Sequence, residues 1–403
     1  MGQRVRQLFT CPTLFNEVIQ CQITLFLVQR YTFFCIVQNF SLLLRKNNNV
    51  ESLLGKNLAE LQAVAATVGL PRFAGKQLAE WLYVRRVTSF DEMTNISLKG
   101  REALRAAYSI GRHEPIAKAE SVDGTKKYLF EIQINGNKQY IETVYLPEDD
   151  RATLCVSTQA GCKMGCRFCM TGTLGFHGQL SAAEILNQVF YLLSPLTGNP
   201  SPITHNLSPL TNVVLMGEGE PMDNIDEVLR ALDVMTADYG CAWSPKRITV
   251  STVGVLDGLR RFLNESECHL AISLHNPFAA ERAAIMPAEK AWPMRDVIAL
   301  LREYDWSHQR RISFEYICWG TQNTTIKHAK ELLRLLNGLE CRINLIRFHA
   351  GVDKEFAASD ERQMEWLRDY LSEHGVTTTI RKSRGEDILA ACGMLINSLS
   401  HNP

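Results

Sequence analysis

Two periodicities divide the chain. Over residues 51 to 110 the apolar positions recur at helical spacing: Leu58, Leu61, Val64 and Ala65 make one stripe, and Phe73, Leu78, Trp81 and Leu82 make a second, with Gly69-Leu-Pro71 between them. A third helix is predicted around Leu98 to Tyr108 and completes a small all-helical unit. The period then drops to two. Tyr128 to Ile134 and Lys138 to Leu146 alternate on either side of Asn135-Gly136, the pattern of a strand, a tight turn and a returning strand. In the second strand Tyr140, Glu142, Val144 and Leu146 share a face, so a carboxylate sits in apolar company, where desolvation would raise its pKa. Glu142 is therefore a candidate base; the plainer alternative is an edge-strand glutamate that reaches solvent.

From residue 152 onward short, nearly continuous apolar runs alternate with amphipathic helical stretches, as in a buried parallel sheet. The runs are Leu154 to Ser157, Asn212 to Met216, Ile248 to Val250, Leu270 to Leu274, Ile312 to Ile317 and Ile343 to Ile346. Helices are predicted at Ala182 to Leu193, Ile225 to Met235, Val255 to Leu263, Arg295 to Tyr304, Thr325 to Leu336 and Glu361 to His374, and the proline-rich segment Ser194 to Pro209 reads as a surface loop. Six βα units give an α/β fold: an incomplete (β/α)6 TIM-like barrel with an N-terminal helical domain and a β-hairpin. The expected divisions are an extension over residues 1–50, a helical accessory unit over 51–125, a hairpin connector over 126–150, the barrel over 151–380 and a C-terminal segment over 381–403. In such barrels the chemistry sits in the loops after the strands. Those loops read Gln159 to Cys169, Gly217-Glu-Gly-Glu-Pro221, Ser251-Thr-Val-Gly254, Ser273-Leu-His-Asn-Pro277 and Arg347-Phe-His-Ala-Gly351.

At 403 residues the chain is long enough for one large domain plus a smaller one. Lysine plus arginine (43) equals aspartate plus glutamate (43), so no basic surplus marks a nucleic-acid binder, and an RNA role has to rest on other features. In the helical unit Arg72, Lys76, Arg85, Arg86, Arg101 and Arg105 could contact phosphates, although solvated helix faces are the simpler reading. Three of the twelve cysteines fall between 162 and 169 and the others are scattered, which fits one metal site in a reducing, cytoplasmic compartment better than a disulfide framework. Val18 to Leu44 is apolar but interrupted by Arg30, so no membrane role is expected. The first fifty residues read either as an extra packing segment or, preferably, as sequence upstream of the working enzyme.

Cys162-x3-Cys166-x2-Cys169 puts three thiolates on one loop, enough to ligate three corners of an iron–sulfur cube and leave the fourth iron open. A structural zinc site would want four protein ligands, and no second Cys-x2-Cys pair supplies them. With Phe168 before the third cysteine, the spacing resembles the radical S-adenosylmethionine superfamily, in which a [4Fe-4S] cluster cleaves S-adenosylmethionine to a 5′-deoxyadenosyl radical. Gly217-Glu-Gly-Glu-Pro221 resembles that superfamily's Gly-Glu-Pro element, whose glutamate meets the cofactor's amino group.

Two longer stretches narrow the resemblance. Pro147-Glu-Asp-Asp-Arg-Ala-Thr-Leu-Cys155-Val-Ser-Thr-Gln-Ala-Gly-Cys162 and Arg381-Lys-Ser-Arg-Gly-Glu-Asp-Ile-Leu-Ala-Ala-Cys392-Gly are similar to the RlmN and Cfr family of RNA adenosine methyltransferases, and the likeness runs from about residue 52 to about residue 398. The resemblance implies methylation of an adenine carbon, which is electrophilic and cannot attack an electrophilic methyl group directly. A cysteine matching Cys392 is first methylated, its methyl group then becomes a methylene radical that adds to the base, and a cysteine matching Cys155 releases product through a transient disulfide. Glu142 matches the family's proton acceptor. On residue type alone Cys155 and Cys392 would read as inert core cysteines, as Cys11, Cys21, Cys35, Cys241, Cys268, Cys318 and Cys341 still do.

The same resemblance implies cofactor contacts at Gly219, Glu220, Ser251, Ser273, Leu274 and His275. His349 stands where many members have Asn; it can hydrogen-bond but adds a titratable group, and by residue type alone it reads as a surface loop position. The implied substrate is 23S rRNA, modified at adenine C2, with tRNA as a second substrate; the alternative is C8 of the same adenosine. The implied partners are an electron donor such as flavodoxin and no membrane, with the chain acting as a monomer.

Overall fold

The computed structural model describes residues 50–193, 210–306, 311–349, 357–391 and 393–395. Residues 1–49, the loop Ser194 to Pro209 and Cys392 lie outside the described residues.

The helical unit consists of α1 (Leu58–Thr67), α2 (Ala74–Ala79), which runs on into a π-helical turn Glu80–Val84, and α3 (Leu98–Ala107). Asn57 opens α1 with a reciprocal cap, accepting from the Glu60 amide while its own amide donates to the Glu60 carboxylate, both at 2.9 Å. Leu61, Val64, Ala65, Leu78, Trp81 and Leu82 are buried, as the helical spacing predicts. Phe73 is the exception, 64% exposed. It occupies the cap position just before α2, and the buried stripe of that helix begins one residue later, at Ala74, and continues through Leu78 and Trp81. Tyr83 stacks on Phe190 at 6.1 Å, which seats the unit on the first helix of the barrel.

The hairpin is β2 (Lys126–Ile134) with β3 (Asn137–Pro147), and β1 (Ala117–Glu120) pairs antiparallel with the outer edge of β2. Asn135 and Gly136 both have positive φ, 52° and 78°, as a two-residue turn of this hand requires. β4 (Ala152–Cys155) follows, then a separate ribbon of β5 (Gln159–Gly161) and β6 (Phe176–Gln179), which brackets the loop carrying the three close cysteines. The remaining strands are β7 (Leu210–Leu215), β8 (Ile248–Thr252), β9 (His269–Ser273), β10 (Ile312–Cys318), β11 (Arg342–Arg347) and β12 (Thr377–Ile380). The ten-stranded sheet has the order β12-β11-β10-β9-β8-β7-β4-β3-β2-β1, and every pairing from β4 to β12 is parallel.

The helices after α3 are α4 (Met170–Thr173), α5 (Ala182–Leu192), α6 (Ile225–Thr236), α7 (Leu256–Glu265), α8 (Ala279–Ile285), α9 (Met294–Leu301), α10 (Ile326–Leu336) and α11 (Glu361–Glu373). All six predicted βα units are present, each within a residue or two of its expected bounds at most ends. The sheet ends at β12 on one side and β1 on the other, so the barrel is incomplete. β12 is an addition to the predicted set, a seventh parallel strand. Ile248, Val250, Leu270, Ile272, Ile312, Phe314, Ile343 and Leu345 are all 0% exposed. Each such side chain contributes about 1.5–3 kcal/mol on burial, and together they make the strand ends a rigid platform.

Candidate active site

The loops after β4, β7, β8 and β9 meet at one end of the sheet. Gly219, in the loop after β7, has φ +99°, and a Cβ there would stand 2.5 Å from Cβ of Gln159, so the loop can lie against the ribbon only because residue 219 is glycine. Gln159 answers by accepting from the Glu220 amide at 2.9 Å. Arg282, on α8 and 0% exposed, donates to the carbonyls of Val253, Ser273 and Leu274 and pairs with Glu289. It ties the loops after β8 and β9 together. Sequence reasoning passed it over because its helix was not predicted.

Cys162, Cys166 and Cys169 lie on the loop between β5 and α4. Burial pushes the Cys162 thiol up to about 12 and the Cys166 thiol well above its ordinary value, so bare thiolates would be costly here. The surroundings nevertheless favour sulfur anions. The Met164 amide points at Cys162, the amides of Thr171 and Gly172 and the Thr171 hydroxyl point at Cys169, and the Arg282 cation lies near Cys166. Among the described residues no three His, Cys, Asp or Glu side chains converge on a single-ion position; an iron–sulfur cube takes one thiolate at each of three corners. Three thiols on one loop, two with N–H donors aimed at their sulfurs and the third buried near a cation, suit that group. Phe168 packs edge-on against His275 at 4.8 Å and against Trp319 at 5.4 Å, which closes one side of the loop.

Glu220 is buried at the end of β7, its pKa raised to about 7 by desolvation. Its carboxylate accepts from the Met222 and Val253 amides at 3.0 and 2.8 Å and from the Thr252 hydroxyl. A carboxylate has about four lone-pair directions, which leaves capacity for a cofactor ammonium. Ser251 is half-buried on β8 and Ser273 half-buried at the end of β9, with Leu274 fully buried behind it. His275 has φ 59°, rare for a non-glycine and typical of residues held by their surroundings. Its Nδ1 accepts from the Ile317 amide at 3.2 Å, so the ring proton sits on Nε2, and burial next to Arg282 lowers its pKa to about 3. The imidazole is neutral at any working pH. His349 is no loose surface residue: its Nε2 is 2.6 Å from the Ser383 hydroxyl and its Nδ1 is 3.5 Å from Glu386.

Glu142 is 1% exposed, and β3 lies between β2 and β4, which removes the solvent-facing edge alternative. Lys127 on β2, itself buried, holds its carboxylate at 2.9 Å. The sequence did contain this pair. A two-residue turn at Asn135-Gly136 fixes the register, Lys127 opposite Val144 and Leu129 opposite Glu142, so Lys127 and Glu142 are diagonal neighbours on one face. Glu218 was also missed. Its buried carboxyl accepts from the Glu142 and Gly161 amides at 2.8 and 3.3 Å, and desolvation raises its pKa to about 8.

Across the next strand Val144 is opposite Cys155, so Lys127, Val144 and Cys155 form a row on one face of the sheet. Val144 and Cys155 pack with Ala390 and Leu395 into a small apolar cluster of their own. The chain around Cys392 is also pinned to the cysteine loop, with the Met170 amide donating to the Gly393 carbonyl at 2.8 Å and the Thr171 hydroxyl to the Leu395 carbonyl at 3.0 Å. Cys392 itself lies outside the described residues. Its neighbours on both sides are thus packed between Cys155 and the loop of Cys162, Cys166 and Cys169.

Of the basic residues in the helical unit, Arg85 pairs with Glu80 and Arg105 with Asp91, while Arg72 and Arg101 donate to Gln62 and to the Asp91 carbonyl. The simpler reading of solvated faces accounts for these four. Among the described residues no helix is long and apolar enough to cross a membrane; Val18 to Leu44 lies outside them.

Residues 51–110 match the family described as ribosomal RNA large subunit methyltransferase N-terminal domain. A Bacteroides fragilis protein named probable dual-specificity RNA methyltransferase RlmN is 55% identical over 345 residues, covering 85% of this chain and 95% of that protein. A Halorhodospira halophila protein named dual-specificity RNA methyltransferase RlmN is 39% identical over 357 residues, covering 88% of this chain and 96% of the relative. The crystal structure of a radical SAM methyltransferase from Sphaerobacter thermophilus superposes with a TM-score of 0.77 at 34% identity, over 85% of this chain and 98% of that one.

Proposed function

This chain belongs to the RlmN family of radical S-adenosylmethionine RNA methyltransferases, and from that premise we propose that it methylates C2 of an adenosine in 23S rRNA, and of an adenosine in tRNA, by way of a methylated Cys392. As a radical S-adenosylmethionine enzyme it depends on that cofactor and on an iron–sulfur cluster. Cys162, Cys166 and Cys169 would hold the cluster, which when bound would supply an electron for cofactor cleavage at the strand ends. Glu220, Gly219, Ser251, Ser273, Leu274, His275 and His349 would contact S-adenosylmethionine.

The other groups act on the substrate side. Cys392 takes a methyl group on sulfur and presents it to the base. Cys155 then attacks the Cys392 sulfur: the bond between that sulfur and the transferred carbon breaks, the carbon leaves with the electron pair and takes a proton to become the methyl group, and a Cys155–Cys392 disulfide forms that the electron donor must reduce before the next turnover. Glu142, ionised and held by Lys127, takes the proton that the modified carbon must lose. The observation that carries this reading is the packing of Cys155 against Ala390 and Leu395, on either side of Cys392, beside the cysteine loop. A small electron carrier such as a flavodoxin is the reductant this chemistry calls for, and the chain is read as a monomer.

Nucleoside mass spectrometry on ribosomal and transfer RNA, from cells with and without this protein, tests the assignment. The expected result is 2-methyladenosine that disappears with the gene. Dependence of 8-methyladenosine alone on the gene would refute the C2 assignment.

A further inference from the structure

We infer that Lys127 is a positioning residue for the methyl transfer, joining the base Glu142 to the segment that presents Cys392. This rests on the reading above for the roles of Glu142 and Cys392. Lys127 reaches two places from one buried ammonium: the Glu142 carboxylate at 2.9 Å and the Leu389 carbonyl at a longer 3.4 Å. Leu389 is three residues before Cys392 and has φ 53°, a left-handed turn that aims the chain back toward Val144 and Cys155. Further out, the turn between β1 and β2 grips the same segment. Ser121 donates to Asp387 at 2.6 Å, and the Gly385 amide donates to Asp123 at 3.0 Å. Lys127 is the point where this clamp touches the acid–base chemistry.

Its charge has a second consequence. Glu142 and Glu218 are both buried and lie close together, with the Glu142 amide on the Glu218 carboxyl. Two carboxylates cannot both ionise cheaply in such a site. The groups facing Glu142 are Lys127 from β2, Glu218 from the loop after β7 and Cys155 from the row on β4. Next to Lys127, Glu142 keeps its charge, while Glu218 keeps its proton. Removing the cation reverses the preference at Glu142, and a base that must be ionised would then work only at higher pH.

The test compares holoenzymes of K127M, K127R, E142Q and the double variant K127M/E142Q with wild type. Two quantities are read: methylation of RNA as a function of pH, and methylation of Cys392 by peptide mass spectrometry. K127M should keep Cys392 methylation but lose about 10- to 100-fold in RNA methylation at neutral pH, as expected when a general base loses the cation that holds it ionised, and should recover as pH rises. K127R should stay within about threefold of wild type, since the cation remains. The double variant should be no slower than E142Q alone, because both changes act through one group, and should melt higher than K127M, because the uncompensated carboxylate is gone. A K127M profile that matches wild type would overturn the inference. So would a loss that is equal at every pH, or a double variant slower than E142Q. Failure of wild type to methylate RNA through Cys392 would instead bring down the underlying reading, and the wild-type arm shows that directly.

Discussion

On the barrel side Glu220 is held by two backbone amides and a hydroxyl, with its pKa raised to about 7. On the hairpin side Glu142 is just as buried and is held by the ammonium of Lys127. Amides are dipoles; they partly offset desolvation and leave a carboxyl poised near neutrality, ready to take a cationic ligand as its counter-charge. A full cation keeps its partner ionised before any substrate arrives. In the proposed reaction one flank receives a charged cofactor and the other removes a proton. The two halves of the proposed reaction, cofactor binding and product release, divide along the same line.

Substitution of the cysteines should separate the flanks most sharply. Cys166→Ala should lower bound iron and abolish RNA methylation. Cys392→Ala should abolish RNA methylation to the same degree with iron content unchanged, as measured by iron analysis beside the methylation assay. Equal iron loss in both variants would break the division. Next in size, Glu142→Gln should cost about 10²- to 10⁴-fold in RNA methylation, the usual range for a general base, while methyl transfer to Cys392 continues at the wild-type rate.

A smaller effect is expected in stability. Glu218 and Glu220 have folded-state pKa values of about 8 and about 7, above the ordinary 4.5 of a glutamate. At pH below about 4.5 both groups are protonated in folded and unfolded chains alike. As pH rises from there to about 8, the unfolded chain ionises first and the folded chain holds more protons, so stability falls. Thermal unfolding of the cluster-free protein should therefore show a midpoint that drops between pH 5 and pH 8, a pKa difference of one being worth about 1.4 kcal/mol. Glu218→Gln should flatten part of that slope, and a midpoint that rises over this range would contradict the assignment. The smallest effect is expected from Thr252→Val, which removes one hydroxyl donor from Glu220. It should cost about 1 kcal/mol at pH 8 and move the falling limb to slightly higher pH.

Much of this was legible in the sequence because periodicity reports burial. The strand runs are apolar along their length because helices cover the outer face and the barrel interior buries the other, and Asn135-Gly136 announces a turn that only positive φ can make. The cysteine loop was legible by spacing alone. β12 was not, since Thr377-Thr-Thr-Ile380 is four residues long and polar, and becomes a strand only by pairing with β11 at the sheet edge. The ribbon β5–β6 was missed for a related reason: a three-residue strand ending in glycine has no pattern to read. Phe73 misled because its hydrophobicity counted toward a stripe that the helix starts without. Lys127 is a different kind of omission. A lysine in a strand reads as solvated, and only the hairpin register brings it within reach of Glu142.

The central claim is that Cys392 carries the transferred methyl group within reach of Cys155 and the cluster loop. Peptide mass spectrometry on protein purified from cells fed isotopically labelled methionine tests it most directly. The expected result is a labelled methyl group on the sulfur of Cys392 that is lost when RNA substrate, reductant and unlabelled S-adenosylmethionine are supplied. A methyl group found only on another cysteine, or one on Cys392 that persists through turnover, would contradict the claim.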